Sequence, residues 1–331
     1  RMESSKSVRL TSIIAAWYDA NKRDLPWRQT RDPYRVWISE IMLQQTRVAA
    51  VIPYYERFLR TFPSPVELAA ATDDELLKSW SGLGYYSRAR NIREAARQIV
   101  ARGKFPSTYG EIMELPGIGP YTAAAISSIC FDEPKAVLDG NVIRVLARIT
   151  ADDGDIGSSK TKQRLQEAAQ KLIDVKNPAR HNQAMMELGA TICLPKDPKC
   201  CECPVGKLCK AKRKGLEREL PVKMRKIDIR RVRRTLLVVI RNGHILLWRR
   251  SQEAALLGGF WELPEPNQLP AAKPDRLIHE FSHAITNRIY EFEVMAAKIN
   301  RPPVTLQWIR LDQLSAIPIS TVVRKALAPI L

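Results

Sequence analysis

The sequence predicts a chain of two unlike domains: an all-α first part built around a helical hairpin, and a smaller α+β part that follows a basic linker. Three observations carry this prediction. The chain has 331 residues, roughly twice the length of an ordinary domain. Helical periodicity and caps fill residues 8–192, where β-branched alternation is scarce. Near residue 210 the texture changes to apolar, β-rich runs. The expected boundaries are 1–212 for the helical domain, 213–234 for the linker and 235–331 for the last domain.

In the first part, "ATDDELLKSW" sets Thr72 and Glu75 at capping-box spacing ahead of an apolar face. "SKTKQRLQEAAQKLI" places Leu165, Ala168, Ala169 and Leu172 at i, i+3, i+4 and i+7, one helical stripe. "ELPGIGPYTAAAIS", residues 114–127, puts Leu-Pro-Gly-Ile-Gly-Pro between two helical stretches. Gly117 and Gly119 allow a tight turn with exposed backbone N–H groups. The next helix adds its positive dipole end, and the pair suits a phosphate. A plain turn would use the same two glycines.

In the second part, "RTLLVVIRNGHILLWRR" flanks Asn242-Gly243 with two apolar runs, the pattern of a two-residue type I′ hairpin. "NRIYEFEVMAAKI" and "VTLQWIRL" read as strands, and "STVVRKALAPIL" as a closing helix. Ahead of them, residues 207–234 hold thirteen Lys/Arg against three Asp/Glu, a surplus of ten. No internal repeat stands out.

Composition narrows the class. With 45% apolar and 27% charged residues the chain buries ordinary cores and is not disordered. No apolar run reaches the ~20 residues of a membrane span. The start "RMESSKSVRL" lacks the apolar centre of a signal peptide, so a cytoplasmic, reducing location is expected. The net charge of +18 favours a polyanionic partner, most often nucleic acid, without separating DNA from RNA.

Five of the six cysteines fall within residues 193–209, which argues for a metal site over a disulfide framework. Cys193, Cys200, Cys203 and Cys209 form C-x6-C-x2-C-x5-C. Four thiolates complete the ligand set of a [4Fe–4S] cluster, and zinc would accept the same four. Cys201 is then the spare, and Cys130 reads as a core thiol. A cluster here pins a loop bearing Lys196, Lys199 and Lys207.

Two carboxylates draw attention. In "LDGNVIRVLAR", Asp139 precedes a new helix. It or Asn141 reads as a helix cap, or Asp139 answers a developing positive charge. In "RDPYRVWISEIMLQQTRV", Glu40 sits among Val36, Trp37, Ile38, Ile41, Met42 and Leu43. An acid in apolar surroundings has a raised pKa and serves as a general acid. A place on the polar face of the helix is the plainer alternative. Gln44 and Gln45 follow one turn later, a doubled amide suited to hydrogen bonding.

Taken together, "LPGIGPYTAAA", "LDGNV" and the cysteine spacing resemble the helix-hairpin-helix DNA glycosylases of the endonuclease III superfamily. Within it, "LPWR", "RDPYRVWISEIMLQQTRV", "GLGYYSRARN" and "MMELGATICLP" resemble the MutY family of adenine DNA glycosylases, over roughly residues 10–210. The resemblance implies removal of adenine mispaired with 8-oxoguanine in duplex DNA, by an enzyme expected to act as a monomer with a [4Fe–4S] cluster. It implies that Glu40 protonates the adenine at N7 and that Asp139 stabilises the cationic sugar or bonds it transiently. Asn141 orients Asp139, and Tyr121 lies near that same acid. Leu25, Trp27, Arg28 and Glu187 form the adenine pocket. Gln45 and Tyr85 wedge beside the estranged base, with Thr46 and Leu83 nearby, although paired tyrosines are more often core. The lyases of the superfamily attack the sugar with a lysine of the hairpin segment, where this chain has Tyr121. Some relatives carry a lysine in the helix after Asp-Gly-Asn-Val, where this chain has Ile143. A monofunctional glycosylase follows.

The last part resembles the Nudix-like domain of the same family, which is similar to MutT. Gly259 and Glu265 match the first spacing of the Nudix box. Lys273-Pro274 stands where Arg-Glu belongs, and the following Glu pair is missing, which disfavours a pyrophosphatase. "HEFSHAI", residues 279–285, implies a lesion-recognition loop of Phe281, Ser282 and His283. The competing readings are an oxidised-pyrimidine glycosylase/lyase like endonuclease III, a non-catalytic iron–sulfur DNA-binding module, and a Nudix hydrolase.

Overall fold

The computed structural model describes residues 4–224, 230–251, 254, 257–285 and 287–331. In chain order its helices are α1 (Ser4–Asn21), α2 (Pro33–Leu43), α3 (Val48–Thr61), α4 (Pro65–Ala70), α5 (Asp73–Trp80), α6 (Ser87–Arg102), α7 (Tyr109–Met113), α8 (Pro120–Phe131), α9 (Gly140–Thr150), α10 (Ser159–Leu172), α11 (Pro178–Thr191), α12 (Lys210–Lys214) and α13 (Thr321–Leu327). Between α12 and α13 run β1 (Arg230–Val238), β2 (Ile240–Arg241), β3 (His244–Arg249), β4 (Trp261–Glu262), β5 (Lys273–Ile285), β6 (Arg288–Lys298) and β7 (Leu306–Arg310). No helix among the described residues is long and apolar enough to cross a membrane. The chain forms two compact units. One comprises the chain up to Tyr55 and Glu94–Arg225; the other comprises Glu56–Arg93 and Lys226–Leu331.

In the first unit α11 is the hub, packed by α1, α8 and α9, while α2 and α7 lie on α8. The buried Ala123, Ala124 and Ala125 of α8 have short side chains, which lets neighbouring helices approach closely. Capping sets the start of each element near the site. Asp32 accepts the Tyr34 N–H ahead of Pro33, so α2 begins there and carries Glu40 inward. Thr108 and Glu111 close a capping box on α7. The turn between α7 and α8 holds Gly117 at φ +76°, a left-handed value that a side chain would strain. Gly119 caps α8 in extended backbone, with Pro120 as its first helical residue.

In the second unit the capping box of Thr72 and Glu75 opens α5 as expected. One sheet has the order β1-β6-β5, with β1 parallel and β5 antiparallel to β6. The other runs β2-β3-β4, with β7 also paired to β3. Asn242 and Gly243 both adopt positive φ, +50° and +73°, and join β2 to β3 with Arg241 opposite His244. This is the expected type I′ geometry. Alternate residues of β1, and Val239 just after it, serve two cores. Leu236 and Val238 join Ile245, Leu247 and Val323 of α13, whereas Leu237 and Val239 join Leu246, Leu269 and Ile299. Residues 56–93 belong here for specific reasons. Tyr86 packs on Phe260 with ring centroids 4.2 Å apart, Ser81 Oγ donates to the Ile319 carbonyl at 3.1 Å, and Asp74 pairs with Arg249.

The stretch expected as linker, 213–234, is ordered at both ends. The end of α12 occupies its first residues, and β1 begins at Arg230. Cross-strand pairing draws the arginines into the sheet, with Arg231 bound to Glu291 of β6 at 2.7 Å. Residues 225–229 lie outside the described residues.

Candidate active site

A cavity of about 560 Å³ opens in the first unit. Glu40, Tyr121, Asp139 and Asn141 line it, and so do Leu25, Trp27, Arg28, Gln45, Thr46 and Glu187. The catalytic and pocket residues expected from this part of the sequence therefore meet in one space, although they come from α2, α8, α9, α11 and the loops before and after α2.

Glu40 lies on α2 with only 5% of its surface exposed, between the fully buried Trp37 and Ile38 and the buried Ile41 and Met42. Burial pushes its carboxyl up to about 7. A hydrogen bond from the Tyr121 hydroxyl to Oε2, 2.7 Å, works against that rise, and the charge of Asp139 works with it. Tyr121, expected near Asp139, shares the cavity with it. Tyr121 bonds Glu40 and not Asp139, and Asp139 reaches it only through its charge. The reason is placement: Tyr121 is on the first turn of α8, the helix on which α2 packs.

Asp139 sits differently. It is the N-cap of α9, with Oδ1 accepting the Val142 N–H at 2.7 Å and Oδ2 accepting Asn141 Nδ2 at 2.8 Å. Burial raises its pKa, while these two bonds and the charge of Arg144 pull it down. The cap expected here is present, and Asn141 donates to the same side chain. Burial thus raises both carboxyls, but Asp139 has two donors and a nearby cation that limit its rise, whereas Glu40 lies in an apolar shell.

Behind Asp139 runs a chain of groups that sequence reading missed. Arg144 donates to Asn141 Oδ1 at 2.9 Å, to the Gly189 carbonyl at 2.8 Å and to the Cys193 carbonyl at 2.7 Å. A Cβ added at Gly189 would lie 2.6 Å from Asn141 Cβ, so α11 meets α9 there only because that position is glycine. The signal in the sequence was Arg144 and Arg148 recurring one turn apart in an otherwise apolar helix; both are buried.

Glu187 is wholly buried. It accepts Arg23 Nε at 2.8 Å, a second Arg23 nitrogen at 2.7 Å, the Arg23 backbone N–H at 3.1 Å and Arg28 at 2.7 Å. Burial alone would raise its pKa, but these donors hold it at about 2. Arg23, unremarked in the sequence, is as much a part of this wall as Arg28.

Cys193, Cys200, Cys203 and Cys209 line a second, small cavity of about 20 Å³, together with Arg148 and Lys212. Burial raises the Cys200 and Cys209 thiols, and pushes Cys203 up to about 11. Arg148 donates to Cys193 Sγ at 3.3 Å. Among the described residues no three His, Cys, Asp or Glu side chains converge as the ligands of one ion do. Four soft donors around one cavity, with a buried guanidinium against them, fit a multi-iron cluster. Cys201 is exposed. Cys130 lies elsewhere, its thiol pushed up to about 12 by burial.

Gln45 is exposed at φ +57°, and in the other unit Tyr85 is 43% exposed at φ +49°. Side chains seldom tolerate such backbone, and it recurs where function requires it. Leu83 is instead buried, at 7% exposure, and Tyr86 is core. Phe281, Ser282 and His283 do not form a loop: they lie within β5, opposite Phe292, Glu291 and Tyr290 of β6. Phe281 stacks on Phe292 at 5.0 Å and packs on the core. Strand alternation puts Ser282 on the opposite face, where it is exposed. Burial, then the charge of Lys325, lowers the His283 pKa. In the Nudix-box region Glu265 is tied to Arg234 at 2.7 Å, and Lys273-Pro274 opens β5.

Residues 38–171 match the HhH-GPD superfamily of base excision DNA repair proteins, and residues 235–329 match the NUDIX domain. The adenine DNA glycosylase of Mus musculus is 34% identical over 95% of this chain and 76% of its own length. That of Rattus norvegicus is 49% identical over 60% of this chain, but the match spans only 40% of the rat protein. A thermostable thymine-DNA glycosylase superposes with a TM-score of 0.57 at 31% identity, over 63% of this chain and 98% of its own. A helical repair fold with a cavity bearing two unlike carboxylates, followed by a Nudix-like sheet domain, agrees with these matches, and the chain belongs to the family of adenine DNA glycosylases.

Proposed function

We propose that this chain hydrolyses the N-glycosidic bond of adenine paired with 8-oxoguanine in duplex DNA and leaves an intact abasic site. The observation that carries the reading is the pair Glu40 and Asp139, two carboxylates lining one cavity, one in an apolar shell with a single hydroxyl donor and one held by two N–H donors as a helix cap. A duplex hides the glycosidic bond, so the adenine is turned out of the stack into the cavity. Leu25 and Trp27 give it apolar walls, and the Arg23–Glu187–Arg28 cluster gives a fixed polar one. Glu40, protonated, donates to N7 and makes the base a better leaving group. Asp139, ionised, offsets the positive charge that develops on the sugar, and water completes the hydrolysis.

No lysine lines the cavity among the described residues; Tyr121 holds the hairpin position where the lyase reading requires one, and Ile143 the position where some relatives carry one. That supports a monofunctional enzyme, since no amine is placed to form a Schiff base. The turn at Gly117 and Gly119 supplies backbone N–H groups for a DNA phosphate. Gln45, with Thr46, fills the gap that flipping leaves. The domain 235–331 recognises 8-oxoguanine through the strand segment 281–283, with Ser282 as its exposed residue.

The four cysteines hold a [4Fe–4S] cluster in this reading. Bound there, it pins the loop of Lys196, Lys199 and Lys207 against DNA and offers one-electron chemistry. The reading is tested with duplexes containing adenine opposite 8-oxoguanine, thymine glycol, or neither. Adenine is expected to be released from the first alone. Excision of thymine glycol, or strand scission without added base or heat, would overturn it.

A further inference from the structure

We propose that Glu217 and Lys212, a carboxylate and an ammonium at the Cys200 edge of the cysteine-lined cavity, set the potential of the cluster in opposite directions. The proposal rests on reading that cavity as a cluster site. Both side chains line the cavity, and neither is a cysteine ligand.

The local fold explains how they arrive there. Lys212 is on α12, which starts immediately after Cys209. α12 stops at Gly215, φ +71°, whose N–H bonds back to the Ala211 and Lys212 carbonyls, while Leu216 N–H reaches the Ala211 carbonyl at 2.9 Å. This is a glycine-capped helix end that reverses the chain. Leu216 and Leu220 then pack on Cys209 and Ala211, which ties the returning segment to the cysteine loop. Glu217, next to Leu216, is thereby held against the cavity.

Each charge has a defined position. Lys212 Nζ donates to the Cys200 carbonyl at 2.7 Å. The loop is tight around it: a Cβ added at Gly206 would meet the Cys200 carbonyl at 3.0 Å and Lys212 Nζ at 3.2 Å. Glu217 Oε2 is buried and has no hydrogen-bond partner among the described residues. A buried carboxylate oxygen without a donor is costly and calls for a reason. A carboxylate lining the cavity disfavours an added electron on a metal–sulfur centre. An ammonium favours it; burial weakens the screening of Glu217, whereas the exposed Lys212 is held by its bond to the Cys200 carbonyl.

The test compares the cluster-loaded full chain with Glu217→Gln and Lys212→Gln, both close in shape to the originals. Iron and sulfide analysis and the visible charge-transfer band come first, then the potential by voltammetry on the same samples. Glu217→Gln is expected to shift the potential upward, and Lys212→Gln downward. If one variant does not load, the sign of the other still decides. Unmoved potentials, or shifts of the same sign, overturn the proposal while the cluster reading stands. Wild-type protein holding zinc and no iron overturns the cluster reading and the proposal with it.

Discussion

The helical cavity and the β5 segment treat their sequence motifs in opposite ways. In the cavity, residues as distant as Arg23 and Glu187, or Glu40 and Asp139, are brought together. In β5, three consecutive residues are separated: Phe281 packs on the core and Ser282 faces out. A reaction needs groups of unlike environment in one enclosed space, and only helices from several parts of the chain supply that. A strand sends neighbours to opposite faces, so a three-residue motif there cannot act as one cluster. Ser282 is the exposed member of the three.

The sharpest test of the cavity is Glu40→Gln. Loss of general-acid catalysis is expected to slow adenine release by about 10²–10⁴-fold with duplex binding kept, as read in single-turnover assays. The wild-type rate should also fall as pH rises through about 7, because the acid form is lost there. Stability carries the same sign. The folded-state pKa lies above the ordinary 4.5, so the contribution of Glu40 is full below that value and lost as pH rises through about 7. A melting-temperature series against pH should show this decline in wild type and not in Glu40→Gln.

Asp139→Asn separates charge from cap. Asn caps a helix about as well as Asp, so the melting temperature should hold. The rate should fall by roughly 10²–10³-fold if the carboxylate stabilises the sugar cation. An equal loss of stability and rate would make Asp139 a structural cap alone.

Gly189→Ala tests whether the helix contact positions the acid. The new Cβ would have to displace Asn141. A small misplacement of catalytic groups costs up to about 10²-fold in rate. The single-turnover rate should drop while Glu40's pH limb stays. The smallest effect is expected in β5. Ser282→Ala should reduce the preference for 8-oxoguanine over guanine by under about tenfold, the worth of one hydrogen bond. Phe281→Ala should instead lower the melting temperature and slow both substrates alike. If Ser282→Ala affects both substrates equally, the segment does not read the lesion.

Much was legible along the chain because it depends on near neighbours. The capping box at Thr72 and Glu75, the Asn242-Gly243 hairpin and the cap at Asp139 are interactions within a few residues. The strand at 279–285 was not: the sequence suggested a loop, and pairing with β6 made it a strand. Arg23, Arg144 and Gly189 were also missed, since a cation or glycine gains meaning only from what packs against it.

By itself, then, the sequence determined the helical hairpin, the cysteine spacing, the two acids and the absence of a lysine at Tyr121 and Ile143. Only the tertiary structure decided that Tyr121 bonds Glu40, that two arginines hold Glu187 ionised, and that residues 56–93 join the sheet unit. The physical reason is range. Caps and turns are set by hydrogen bonds within a few residues, whereas burial and charge, which set the protonation of Glu40 and Asp139, come from side chains that the sequence holds far apart.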